Sequence, residues 1–161
     1  MPLTSMSVVP FIRSRIQRLV ATGRELGRER LSLLGVVTGG HIVIHWFQQL
    51  FTVALPFIKV GLGLSGVQVG FLAAARQFGQ GTLNLPAGML GDALHRHRDA
   101  ILASSLVMMG VAYLLFGSRG GFGVAFAASV LIGFGSALWH PTAAATLTSK
   151  FPQRRATAMA V

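Results

Sequence analysis

The chain contains no cysteine. Disulfides and thiolate metal sites are thereby excluded, and nothing marks the redox compartment. Acidic residues are nearly as scarce. Glu25, Glu29, Asp92 and Asp99 are all there are among 161 residues. Charged residues make up 11%, against about 25% in an ordinary soluble chain. No cluster of nucleophile, base and acid can be assembled outside the apolar segments, so no enzymatic activity and no cofactor are expected. What the chain has in quantity is apolar surface, 52% of residues, together with 20 glycines. Few charges and many glycines suit a bundle of membrane helices.

A helix needs roughly 20 apolar residues to cross a bilayer. Four stretches reach that length or nearly so: residues 31–58, 67–91, 100–117 and 122–147. Short connections separate them, and a fifth span is expected to start from about residue 156. The expected organisation is therefore a basic tail, 1–30, followed by a transmembrane bundle, 31–161.

The net charge of +10 would ordinarily suggest nucleic acid as a partner, but the placement of the charges argues against it. The tail carries Arg13, Arg15, Arg18, Arg24, Arg28 and Arg30. The first connection has Lys59 alone, the second Arg96 and Arg98, the third Arg119 alone, and the fourth Lys150, Arg154 and Arg155. Basic and nearly neutral connections alternate, as they do when Lys and Arg are retained on the cytoplasmic side. This predicts a multi-pass protein of the cytoplasmic (inner) membrane with its N-terminus in the cytoplasm. The lipid bilayer is a partner and nucleic acid is not. The tail is too rich in arginine, and its "SVVPFI" too short, for a cleaved signal peptide.

Polar groups at membrane depth face protein or a water-filled cavity. At about 100° per residue, Thr38, His41, His45, Gln48 and Thr52 fall within a sector of about 80° on the first span. Arg76, Gln77, Gln80 and Asn84 share one side of the second, within about 100°. Ser129, Gly133, Ser136 and His140 form a small, polar face on the fourth, with Pro141 next to remove a backbone donor. The third offers only Ser104, Ser105 and Tyr113 and reads as peripheral. Arg76 cannot shed its proton and needs water or an anionic partner. A long side chain can snorkel to the interface, but Arg76 lies about ten residues into its span. With no carboxylate deep in the spans, histidine is the proton carrier available, its ordinary pKa being about 6.5. His41 and His45 also raise a metal reading. Zinc sites take three or four ligands, so His140 would have to sit at the same depth. No resident metal is expected, for want of a thiolate or carboxylate. The alternating His95 and His97 have no matching ligands nearby.

The connection "GMLGDALHRHRDAIL", residues 88–102, resembles the loop motif of the major facilitator superfamily. Gly88, Leu90, Gly91, Asp92, Arg96 and Arg98 carry the resemblance. Ala93 stands where the family usually has a base, and His95 where it usually has glycine. Asp99 is placed to cap the third span. "HIVIHWFQQLFTVALPFIKVGLGLSGVQVGFLAAA" and "GFGSALWHPTAAA" are similar to helices one, two and four of the fosmidomycin resistance protein group. His41, His45, Pro56, His140 and Pro141 stand at the matching positions. The arginine of many drug–proton antiporters would fall near Ser129 and is absent.

The fold class expected is thus an all-α membrane protein, the N-terminal part of a major facilitator superfamily helical bundle with four transmembrane helices plus the start of a fifth. The resemblance implies a transporter of twelve helices in two halves that alternates between inward- and outward-open states. On that expectation the present chain is an N-terminal fragment or a truncated product, and a C-terminal half is needed for function. The function implied is secondary transport of a small organic solute by efflux, with protons as the exchanged ion. The expected substrate and proton path is His41, His45, Gln48, Arg76, Gln80, Ser136 and His140. Two alternatives stay open: a membrane assembly partner that does not transport, and a histidine-based membrane metal-binding protein.

Overall fold

The computed structural model describes residues 8–118 and 120–159; of the side chains at 8–12 and 14–26 nothing is said. Arg119 therefore lies outside the described residues, and of Arg15, Arg18 and Arg24 only the backbone is described. The chain divides into two compact units, 1–36 and 37–161. The described part of the first is helical, with one break at Gly27 (φ 75°, ψ 159°), where a residue without Cβ can take a backbone turn that others resist.

The second unit is built of helices, with no strand among the described residues. The elements in chain order are α1 (Val8–Gly61, shared with the first unit), α2 (Gly66–Ala93), α3 (Arg98–Gly117), α4 (Gly121–Lys150) and the short α5 (Arg155–Met159). A single 3-10 turn, His95–His97, joins α2 to α3. Among the described residues, three helical stretches are long and apolar enough to cross a membrane: Gly27–Gly61, His95–Gly117 and Gly121–Lys150. α2 is long enough at 28 residues but falls short in apolarity, because Arg76, Gln77, Gln80 and Asn84 dilute its aliphatic side chains.

Local signals explain the helix ends. Ser65 caps α2. Its hydroxyl accepts from the Gln68 amide at 3.2 Å, and the Gln68 side chain accepts from the Ser65 amide at 2.9 Å, a reciprocal capping box. Asp99 does not cap α3 as expected. The helix already begins at Arg98, with His97 at the cap position, so Asp99 sits inside the first turn, where it meets the helix dipole instead. α4 runs unbroken through Pro141.

Packing centres on α4, whose small residues admit its neighbours closely. A Cβ on Gly133 would overlap the Arg76 carbonyl oxygen and lie 2.9 Å from the Gln80 amide nitrogen of α2. A Cβ on Gly135 would lie 2.6 Å from Met109 Cγ and 2.8 Å from the Ser105 carbonyl oxygen of α3. Two glycines, two residues apart, thus receive two different helices, as small residues do in membrane bundles. Around them Ile132, Ser136 and Ala137 are fully or almost fully buried. Replacing Gly133 with alanine is expected to lower stability by about 1–3 kcal/mol, because backbone cannot move aside as a side chain can. Thermal unfolding in detergent, followed by circular dichroism, measures this; Gly110→Ala, where a Cβ meets nothing within 4 Å, is the control and should not destabilise.

The pairings also fix direction. Gly79 meets Val130 and Phe134, while Gly91 meets Thr142, so α2 and α4 run parallel. Ser105 and Met109 meet Gly135, while Arg98 reaches Ala145 and Ser149, so α3 and α4 run antiparallel. α3 is less peripheral than its composition suggested. One side exposes Val107, Val111 and Leu114, but Ser105, Met109 and Ala112 are buried, and the Tyr113 hydroxyl donates to the Phe47 carbonyl of α1. The Tyr113 and Phe47 rings stack at 5.3 Å.

Candidate functional site

The sequence "TGGHIVIHWFQQLF" presents two faces on α1. Val37, Ile44 and Phe51, seven residues apart, are buried. Beside them run Thr38, His41 and Gln48, all half-buried, with His45 and Thr52 more exposed. These residues run along one side of α1, bordering its packed face.

α4 supplies the other side. The Trp139 ring fills the space left by the missing side chain of Gly40. This knob sets the register of the two helices, and the polar partners follow from it. His140 comes opposite His41 and His45, with ring centroids 5.7 and 5.6 Å away, while His41 and His45 lie 4.6 Å apart. Their Nε2 atoms are 2.8 Å apart, a hydrogen bond in which one ring donates and the other accepts. His140 is steadied by Nδ1, 2.9 Å from the Ser136 carbonyl one turn earlier. Further along, Gln48 Nε2 donates to Ser136 Oγ at 2.6 Å, across the two helices. Numbers rise along α1 as they fall along α4, so these helices are antiparallel.

Arg76 joins this seam from α2. One terminal nitrogen donates to the Gln48 carbonyl at 3.4 Å, the other to Gln77 Oε1 at 3.2 Å, and the guanidinium lies 5.1 Å from the Phe51 ring centroid. Its Nε is buried and unpartnered among the described residues, and so is the indole Nε1 of Trp139. No carboxylate faces Arg76 among the described residues. Gln80 is half-buried on the same helix, with its backbone against Gly133, but its side-chain amide makes no hydrogen bond among the described residues. The seam thus gathers His41, His45, Gln48, Arg76, Ser136 and His140, and leaves Gln80 at its edge. Ser129 belongs to packing: its hydroxyl is fully buried and donates to the Ala125 carbonyl at 2.9 Å. A cavity of about 110 Å³ opens beside the histidines, lined by Val37, Thr38, His41, Trp139 and His140 and bounded by Met159.

The loop residues form a second group. Arg98 donates to the Gly91 carbonyl (2.9 Å), the Ala145 carbonyl (3.2 Å) and Ser149 Oγ (3.4 Å), and pairs with Asp92 at 3.1 Å. It ties the ends of α2, α3 and α4 together. Arg96 is exposed in the 3-10 turn and takes no part in this network. Gly88 and Gly91 sit against Pro141 and Thr142, and Leu90 is exposed.

Sequence reasoning missed Trp139 and Phe51 and left Tyr113 on a helix read as peripheral. Tyr113 had a signal, being the chain's one tyrosine in an otherwise apolar helix. Trp139 had one too, in Gly40, whose missing side chain leaves room for a large ring.

These features define a multi-pass helical membrane bundle with a polar seam, lined by three helices, against a small cavity. Residues 37–161 match the family described as Major Facilitator Superfamily, and the chain belongs to that superfamily of transporters. Neither a curated protein nor a solved structure matches it.

Proposed function

We propose that the protein is a secondary transporter that carries a small organic solute bearing an anionic group, by alternating access and in exchange for protons, as an efflux system similar to the fosmidomycin resistance protein group. The observation that carries this reading is the Gln48–Ser136 seam with Arg76 at one end and three imidazoles at the other. A structural bundle has little use for a half-buried arginine with no carboxylate beside it among the described residues, since a charge at membrane depth needs a partner. A solute carboxylate, phosphate or phosphonate supplies that partner through charge-assisted hydrogen bonds. Imidazole is the seam side chain able to take up and release a proton, so coupling runs through the histidines.

The same reading puts the N-terminus, the 3-10 turn and the end of α4 on the cytoplasmic side, where Arg96, Arg98, Lys150, Arg154 and Arg155 gather. α2 then spans the bilayer as a fourth helix whose polar side is turned towards the seam. A second half-bundle completes the cavity and provides the other face of the alternating cycle.

The test is solute movement in inverted membrane vesicles from cells producing the protein. An imposed pH gradient should drive accumulation of organic anions, and collapse of the gradient by a protonophore should stop it. Accumulation that ignores the gradient would remove the proton exchange from this account.

A further inference from the structure

The three histidines of the seam have a property that solute transport does not require. One ring nitrogen from each lies within 4.8 Å of those from the other two. His41 and His45 stand four residues apart on α1, so the helix itself holds both on one face. His140 arrives from α4 and is oriented by its Nδ1 at 2.9 Å from the Ser136 carbonyl. A carbonyl only accepts, so Nδ1 carries the proton, and Nε2 of the neutral ring keeps its lone pair. Histidines that bind metals are held in this way, one nitrogen on the metal and the other donating to a backbone carbonyl or carboxylate.

The geometry points to a site for one divalent transition-metal ion of the zinc, copper and nickel class, held by His41, His45 and His140. Imidazole suits these ions, whereas magnesium and calcium prefer oxygen ligands that the cluster lacks. Zinc–nitrogen bonds of about 2.0–2.1 Å place tetrahedral ligands roughly 3.3 Å apart. The His41–His45 nitrogens at 2.8 Å and the 4.8 Å limit for the set bracket that distance. The ring that now donates between His41 and His45 frees its Nε2 by moving its proton to Nδ1, with no net gain or loss of protons. Three protein ligands leave the fourth position open, the pattern of exchangeable sites and not of closed structural ones. The cavity lined by His41 and His140 gives that position room for water or a donor atom of a solute. The expectation of no metal rested on the missing thiolate and carboxylate. The convergence of a third imidazole supplies the ligand that the α1 pair lacked.

The inference stands on the imidazole geometry and not on the proposed transport, so failure in the vesicle assay leaves it intact. The full chain, purified in detergent, is titrated with zinc against a chromophoric chelator, and separately loaded with one equivalent of copper(II) for electron paramagnetic resonance. One zinc per chain and a copper spectrum with three coordinated nitrogens are expected. His140→Gln and His41→Gln should each weaken zinc by about 100-fold or more, since losing even an outer-shell partner costs about 10–100-fold. The His95→Gln/His97→Gln chain, altered only in the exposed turn, should bind as the parent does. Zinc that survives His140→Gln, zinc lost with His95 and His97, or no binding above a chain lacking all three seam histidines would overturn the site. So would a copper spectrum with fewer than three nitrogens, which needs no variant and is independent of any folding defect.

Discussion

Replacing His41 and His45 together with glutamine should reduce gradient-driven solute movement to the level of vesicles that lack the protein. Glutamine keeps a polar, hydrogen-bonding side chain of similar reach on α1 but cannot take up a proton. The pair lies Nε2 to Nε2 at 2.8 Å, with the His140 ring within 5.7 Å of both. No carboxylate stands beside them among the described residues. Solute binding measured without a gradient should change little, since Gln48, Ser136 and Arg76 remain. That split separates a proton role from a merely structural one. Retained accumulation with an unchanged response to pH would assign the coupling elsewhere.

Arg76→Gln should weaken an anionic solute roughly ten- to a hundredfold while leaving the gradient response of the residual transport intact. Hydrogen bonds to a charged group contribute about 1.5–3 kcal/mol each, which sets that range for the loss of one. Arg76 is already prepared to meet an anion. Its two terminal nitrogens are held by the Gln48 carbonyl and Gln77, and the Phe51 ring supports the guanidinium. Its Nε has no partner among the described residues. Arg76→Lys should recover only part of the affinity, because a point charge cannot reproduce the planar fork. The measurement is the concentration dependence of initial rates for an anionic solute beside a neutral one. Equal losses for both would mean that Arg76 acts through packing alone.

Much of this arrangement was legible in the residues. Helical angle alone put Thr38, His41, His45 and Gln48 on one stripe, because 3.6-residue periodicity needs no knowledge of neighbours. The loop residues Asp92 and Arg98 were singled out by a motif, and they form an ion pair at 3.1 Å. What angle could not give was the register between helices. Whether His140 reaches the level of His41 depends on how far α4 is slid along α1. That slide is set by Trp139 packed into Gly40 and by the Gln48–Ser136 hydrogen bond, both between residues about 90 to 100 positions apart in sequence. Tyr113 was misjudged for a related reason. Its hydroxyl finds the Phe47 carbonyl of a helix that composition cannot place beside it. Asp99 was misplaced because the 3-10 turn at His95–His97 lets α3 start earlier than its apolar run.

The central claim is that the α1–α4 seam faces a hydrated path while the outer sides of the helices face lipid. A chain without cysteine makes this directly measurable. Single cysteines are placed at Thr38, Gln48 and Thr52 on the stripe, and at Val107, Val111 and Leu114 on the exposed side of α3. Each is treated in intact membranes with a charged, water-soluble thiol reagent. The account predicts rapid labelling along the stripe, slowed by a bound organic anion, and little labelling on α3. Labelling on α3 with an inert stripe would contradict it.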